Sequence, residues 1–147
     1  MTPAGRCPTF RALLRGPPRL AAHQRRLGCR PEPEDDLVRD LLNAHQLRDK
    51  GLGGPATGPA AHASAEAAFA QVGYVVHSAA TDWVLDPSQR DFQDLLTDGL
   101  ADAALEQRPD LATTIKSWRA RRQAHVDNGR SRAIVGHHDL AAWPPPL

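Results

Sequence analysis

Side chains able to do chemistry gather first in the run His45-Gln46-Leu47-Arg48-Asp49-Lys50. His45 and Asp49 stand four residues apart, a spacing that puts both on one face if the segment is helical. A histidine oriented by a carboxylate can polarise or deprotonate a bound group, and Lys50 beside them can hold an anionic one. The structural alternative has His45 packed at the edge of an apolar stripe, with Asp49 paired to Lys50 or Arg48. Asp82-Trp83, just beyond a predicted strand, form a second candidate pair, because ligands of α/β sheets collect at strand ends and their loops. The alternative there is Trp83 as a core anchor with Asp82 capping a turn. His137-His138-Asp139 invite a metal reading, but neighbours on an extended segment point to opposite faces and no third ligand follows at a recognisable spacing. The site candidates are therefore His45, Asp49, Lys50, Asp82 and Trp83, with no catalytic role and no metal site assigned.

The elements that must position these residues are marked by clear punctuation from Pro33 onward. Glu34, Asp35 and Asp36 place negative charge where a helix amino terminus favours it. Leu37, Val38, Leu41, Leu42 and His45 then recur at helical spacing, which predicts a helix to about Asp49. Gly51, Gly53, Gly54, Pro55, Gly58 and Pro59 predict a loop, and Ala63, Ala67, Phe69 and Val72 a second, Ala-rich helix stopped by Gly73. Tyr74 to Ala79 reads as a strand running toward Asp82-Trp83. Ser88 with Asp91 resembles a capping box, ahead of the helical stripe Phe92, Leu95, Leu96, Gly99, Leu100, Ala103 and Ala104. Beyond Pro109, Leu111, Ile115, Trp118 and Arg122 share a helix face, Asn128-Gly129 supplies the stop, and Ser131 to Gly136 reads as a short final strand. The order is helix, helix, strand, helix, helix, strand. Two strands are too few for an independent sheet.

Ahead of this unit, residues 1–31 hold seven arginines and no Asp or Glu. Pro3, Pro8, Pro17, Pro18 and Gly16 would break an amphipathic targeting helix there. The segment reads as a basic, Pro- and Arg-rich disordered arm, with residues 32–147 as the folded unit. Phe10 alone interleaves the arginines, so the stacking platforms of a single-strand binder are missing. The net charge of +1, with 17 acidic against 18 basic residues, gives no whole-chain pull toward nucleic acid or an anionic membrane. No apolar run approaches the ~20 residues of a membrane span. Neither Cys7 nor Cys29 belongs to a CxxC or metal-ligand spacing, which fits a reducing, cytoplasmic setting.

The string from His45 to Pro59, HQLRDKGLGGPATGP, resembles a segment of bacterial class I S-adenosylmethionine (SAM)-dependent methyltransferases, HQ-x-x-DKG-[FL]-G followed by Gly-Pro. Downstream, that family shows Gly-Tyr before a strand, Ser/Thr-Asp-Trp-x-Leu, Asp-Gly-x-Ala at a helix end, a Trp-rich helix and Val-Gly-His-x-Asp. The counterparts here are Gly73-Tyr74, Thr81 to Leu85, Asp98 to Ala101, Trp118 and Val135 to Asp139, in matching order over about residues 28–144. The resemblance implies a seven-stranded, mostly parallel sheet carrying SAM at the carboxyl ends of its first strands. This chain would supply the late helices and the last two strands. The fold class implied is an α/β fragment, mostly helical, with a carboxyl-terminal pair of antiparallel edge strands from an incomplete Rossmann-like methyltransferase sheet.

SAM is the implied cofactor, yet its fingerprint, a buried strand entering G-x-G-x-G with an acidic residue after the next strand, does not occur. Gly51-Leu52-Gly53-Gly54 follows charged residues and a helix instead. The expected function is that of a SAM-dependent methyltransferase by resemblance, inactive alone, with an unidentified methyl acceptor and either a complementing chain or self-association as its partnership. The alternative is a small helical interaction module that docks on a partner chain through exposed apolar helix faces.

Overall fold

The computed structural model describes residues 9–12, 31–51 and 53–145. Nine elements follow in order: β1 (Thr9–Ala12), α1 (Asp35–Gln46), α2 (Ala61–Gln71), β2 (Val75–Ala80), β3 (Trp83–Leu85), α3 (Arg90–Gln107), α4 (Ala112–Asp127), β4 (Arg132–Val135) and β5 (His138–Trp143). Single 3₁₀ turns at Gly58–Ala60 and Pro109–Leu111 lead into α2 and α4. The described residues are mostly helical, with a small antiparallel two-stranded sheet formed by β2 and β5. Cys7 and Cys29, and the expectation of disorder for the rest of the arm, fall outside the described residues.

The core is a three-helix cluster. Val38 of α1, Leu100, Ala101 and Ala104 of α3, and Ile115 and Trp118 of α4 are buried together, with Leu41, Leu42, Leu96, Leu105 and Leu111 packed around them. Ile115, Trp118, Arg122 and Val126 form the inward face of α4, as the spacing predicts. For α3 the buried face is rotated from the predicted stripe. Gln93 and Thr97 are inside, whereas Phe92 and Leu95 stand out in solvent. Gln93 Nε2 donates to the carbonyls of Asp86 and Ser131, tying the start of α3 to the approach to β4 and giving a polar side chain a reason to be buried.

One buried polar cluster fixes α1 against α4. Asp35, at the first position of α1, accepts from Trp118 Nε1 at 2.8 Å and Arg122 Nε at 2.9 Å, and its other oxygen faces Arg122 Nη2. Just outside it, Glu32 accepts from His125 Nε2 at 2.9 Å and from Arg121. The acidic run that reads as helix-dipole complement thus also serves as the anchor for α4. At the start of α3 the expected capping box is not formed. The backbone N–H and the hydroxyl of Ser88 both donate to Asp86 instead, at 2.8 and 2.6 Å, and α3 begins at Arg90 with no side-chain cap. Such a local turn competes with capping for the same short polar side chains.

The strands form one long antiparallel ladder rather than a compact hairpin. β2 pairs with β5 from Val75 opposite Trp143 to Ala80 opposite His138, and β3 with β4 from Trp83 opposite Val135 to Leu85 opposite Ala133. Register is unbroken between the two pairings, where Thr81 N donates to His137 O at 2.8 Å. α3 and α4 fill the connection from β3 to β4. β1 adds to the other side of β4 in parallel, giving a three-stranded sheet in the order β1-β4-β3. β4 is thereby interior, and the two expected strands, β2 and β4, do not pair with each other: β2 pairs with β5, and β4 lies between β1 and the unforeseen β3. β5 was not foreseen, and it extends the final strand past Gly136.

Candidate functional site

Two stretches far apart in sequence, 46–62 and 136–137, meet around one cleft of about 410 Å³, open to solvent. Gln46 and Lys50 come from the end of α1 and its loop, Thr57 and Pro59 from the turn before α2, His62 from the first turn of α2, and His137 from the bend between β4 and β5. The local chain explains each placement. α1 stops at Gln46 because Asp49 turns its carboxylate onto the N–H of Gly51, at 2.8 Å, closing a turn that competes with the helix. Gly51 and Gly53 then adopt φ of +89° and +80°, a region where side chains other than glycine are strained. Gly58, at φ +50°, lies so close to Leu47 that a Cβ would stand 2.8 Å from Leu47 Cδ2. This glycine lets the loop fold back against the end of α1 and form one wall of the cleft.

That geometry corrects the first sequence expectation. Asp49 lies beyond the helix end, so the four-residue spacing does not put it on a shared face with His45. The carboxylate at hydrogen-bond distance from the His45 ring is Glu106 of α3, whose Oε2 accepts from His45 Nε2 and from Arg48 Nη1, each at 3.0 Å. Those two donors hold the Glu106 carboxyl below the usual carboxylate range. The pair ties the end of α1 to the end of α3 and so sets where Lys50 emerges. Lys50 Nζ donates to the His45 carbonyl at 3.3 Å, and among the described residues no carboxylate forms an ion pair with it. Of the first three candidates, Lys50 is the one that faces the cleft.

The second candidate pair sits behind His137. Asp82 Oδ1 accepts from the His137 N–H at 3.1 Å, across the ladder and not at a turn. Trp83 is 48% exposed, which overturns its reading as a core anchor. Its ring stacks on His137 with centroids 5.3 Å apart and an interplanar angle of 22°, and meets Phe92 edge-on at 5.8 Å. Thr81 Oγ1 lies 2.8 Å from His137 Nδ1, so the imidazole is fixed by a stack and a hydrogen bond together. Asp82 and Trp83 therefore position His137 from behind, and it is His137 that lines the cleft.

His62 was not among the candidates. Its Nε2 is hydrogen-bonded to Ser78 Oγ on β2, its ring meets His138 edge-on at 5.0 Å, and its Nδ1 stands 3.9 Å from Glu66 Oε2, one helix turn on. The imidazole is largely buried yet reaches the cleft. A His and a Glu four apart on an Ala-rich helix was the one signal available in sequence. The contact with Ser78 depends on the ladder and could not be read from it. Among the described residues, no group of three or more His, Cys, Asp or Glu side chains is arranged to hold a metal ion, and no helix is long and apolar enough to cross a membrane. Comparison with protein families, with curated proteins and with solved structures finds no match.

Proposed function

We propose that this chain is the distal, acceptor-side portion of a class I SAM-dependent methyltransferase and that, taken alone, it transfers no methyl group. One observation carries the reading. Three of the segments on which the sequence resemblance rests, His45 to Pro59, Thr81 to Leu85 and Val135 to Asp139, fold at or directly behind the cleft between Lys50, His62 and His137, while Asp98 to Ala101 and Trp118 belong to α3 and α4 in and beside the helical core.

Direct methyl transfer from a sulfonium to a nucleophile depends mainly on alignment, and a cleft whose imidazoles are held by Ser78, Thr81 and Trp83 is suited to aligning an acceptor. The parallel pairing of β1 with β4 also agrees with the edge of a larger, incomplete Rossmann-like sheet, because parallel strands require crossover connections and are typical of α/β folds. The glycine-rich loop after α1 offers no strand-to-helix cradle for a dinucleotide-like ligand, since its preceding element is a helix.

Calorimetric titration of the purified chain with SAM tests this directly. The expected result is no saturable heat, and a micromolar dissociation constant would overturn the incomplete-enzyme reading. The DNA preceding the start codon gives the complementary test. An open frame encoding a strand followed by G-x-G-x-G supports the methyltransferase reading, and a frame encoding nothing of the kind counts against it. A second reading, an interaction module that docks on a partner chain, is favoured by the large apolar side chains left in solvent, with Leu95 72% and Val84 61% exposed.

A further inference from the structure

We infer that the cleft takes a small organic anion, a carboxylate on a compact apolar body, held by Lys50 with His62 and His137 as flanking donors. The inference rests on the cleft being the acceptor site and adds the chemical class of its occupant. Three features bring positive or donor character to one place, and no Asp or Glu lines the cleft. Lys50 carries a charge that among the described residues is met by a backbone carbonyl alone. His62 has Nε2 engaged by Ser78, while its Nδ1 stands 3.9 Å from Glu66, beyond hydrogen-bond reach of that carboxylate. His137 has Nδ1 beside Thr81 Oγ1 at 2.8 Å and Asp139 Oδ1 at 3.5 Å, so Nε2 is the ring nitrogen that neither of them engages. The remaining lining, Ala56, Pro59 and Ala61, is apolar and small. An ammonium, two fixed imidazoles and an alkyl wall in about 410 Å³ match a carboxylate with a ring or short chain attached.

Benzoate serves as the probe and benzamide as its uncharged counterpart of the same shape, each titrated into the isotopically labelled chain and followed by amide resonances in NMR. Benzoate is expected to shift the amides of Lys50, Gly58, His62 and His137 in a saturable way. Benzamide should bind about tenfold more weakly, as should benzoate to the Lys50→Ala variant, because a hydrogen bond to a charged group is worth roughly that factor. Lys50 lies in an exposed loop, so the variant keeps the fold, and its remaining spectrum verifies this. Equal binding of benzoate and benzamide, or unchanged benzoate binding to Lys50→Ala, overturns the anion inference and leaves the cleft as an acceptor site standing. Shifts outside the cleft, or none with either compound, overturn both.

Discussion

Asp35→Ala is the substitution that most directly probes how the site is held in place. Asp35 is 14% exposed and its partner Arg122 8%, and its carboxylate also accepts from Trp118 Nε1 and, through Oδ2, from the Glu32 N–H at 3.0 Å. Removing it takes the main anion from a nearly buried guanidinium and an acceptor from a buried indole. Breaking such a pair on one side costs about 3–5 kcal/mol, and the residual exposure of Asp35 argues for the lower end, about 3 kcal/mol. In a domain of this size that lowers the melting temperature by roughly 10–15 °C. Urea unfolding followed by circular dichroism measures the change. Asp35→Asn, which keeps the shape and an acceptor but not the charge, is expected to lose about 1–2 kcal/mol. Adding Arg122→Met to Asp35→Ala should restore part of the loss, because the nearly buried cation that has lost Asp35 is then gone. A loss below 1 kcal/mol for Asp35→Ala, with no recovery in the double variant, would refute the claim that this cluster fixes α1 to α4.

Two further predictions concern pH and the cleft wall. Burial raises the Glu32 carboxyl, but hydrogen bonds from His125 and Arg121 outweigh it and the net shift is downward. A folded value below the unfolded one contributes stability that is full above the ordinary carboxyl range, near pH 4.3, and is lost as pH falls through the lowered value. Glu32→Gln should therefore be less stable than the parent at pH 6, with the gap closing below about pH 4, and a gap independent of pH between 6 and 3 would count against the pairing. Gly58→Ala places a Cβ at φ +50° and against Leu47, and should cost about 1–2 kcal/mol and weaken benzoate binding. Gly54→Ala, where no atom lies within 4 Å of the added carbon, should stay within about 0.5 kcal/mol of the parent in the same denaturant melts, and equal losses at both positions would remove the special role of Gly58.

The parts of the fold that follow from short-range pattern were legible in the sequence. The inward face of α4, the stops at Gly73 and Gly129, and the strand after Tyr74 all depend on residues within one or two turns of each other. What could not be read depends on long-range partners. Leu95 is as apolar as Leu96, and only the positions of α1 and α4 decide that Leu96 packs on the core while Leu95 faces water. Gln93 and Thr97 look like surface residues until Asp86 and Ser131 bring carbonyls to Gln93. β5 was missed because His138-Asp139-Leu140-Ala141-Ala142-Trp143 has weak strand character, and its pairing with β2 supplies what propensity does not.

The same reasoning explains why the site residues divide as they do. Lys50 lines the cleft, and its place beside a glycine loop is a local feature visible in the sequence. His45 and Asp49 were joined by a helical spacing that the chain abandons three residues too early, and Glu106, which meets His45, lies 61 residues away on another helix. His62 and His137 reach the cleft only because one unbroken register carries the ladder through the bend at Thr81 and His137, placing Ser78 under His62 and Asp82 behind His137. A register slip of one residue would turn every side chain of β5 to the opposite face. It would move His138 away from His62 and leave the imidazole of His137 off its stack with Trp83. The cleft is therefore a property of strand register as much as of its own lining, and substitutions in the ladder that leave every lining residue unchanged should still dismantle it.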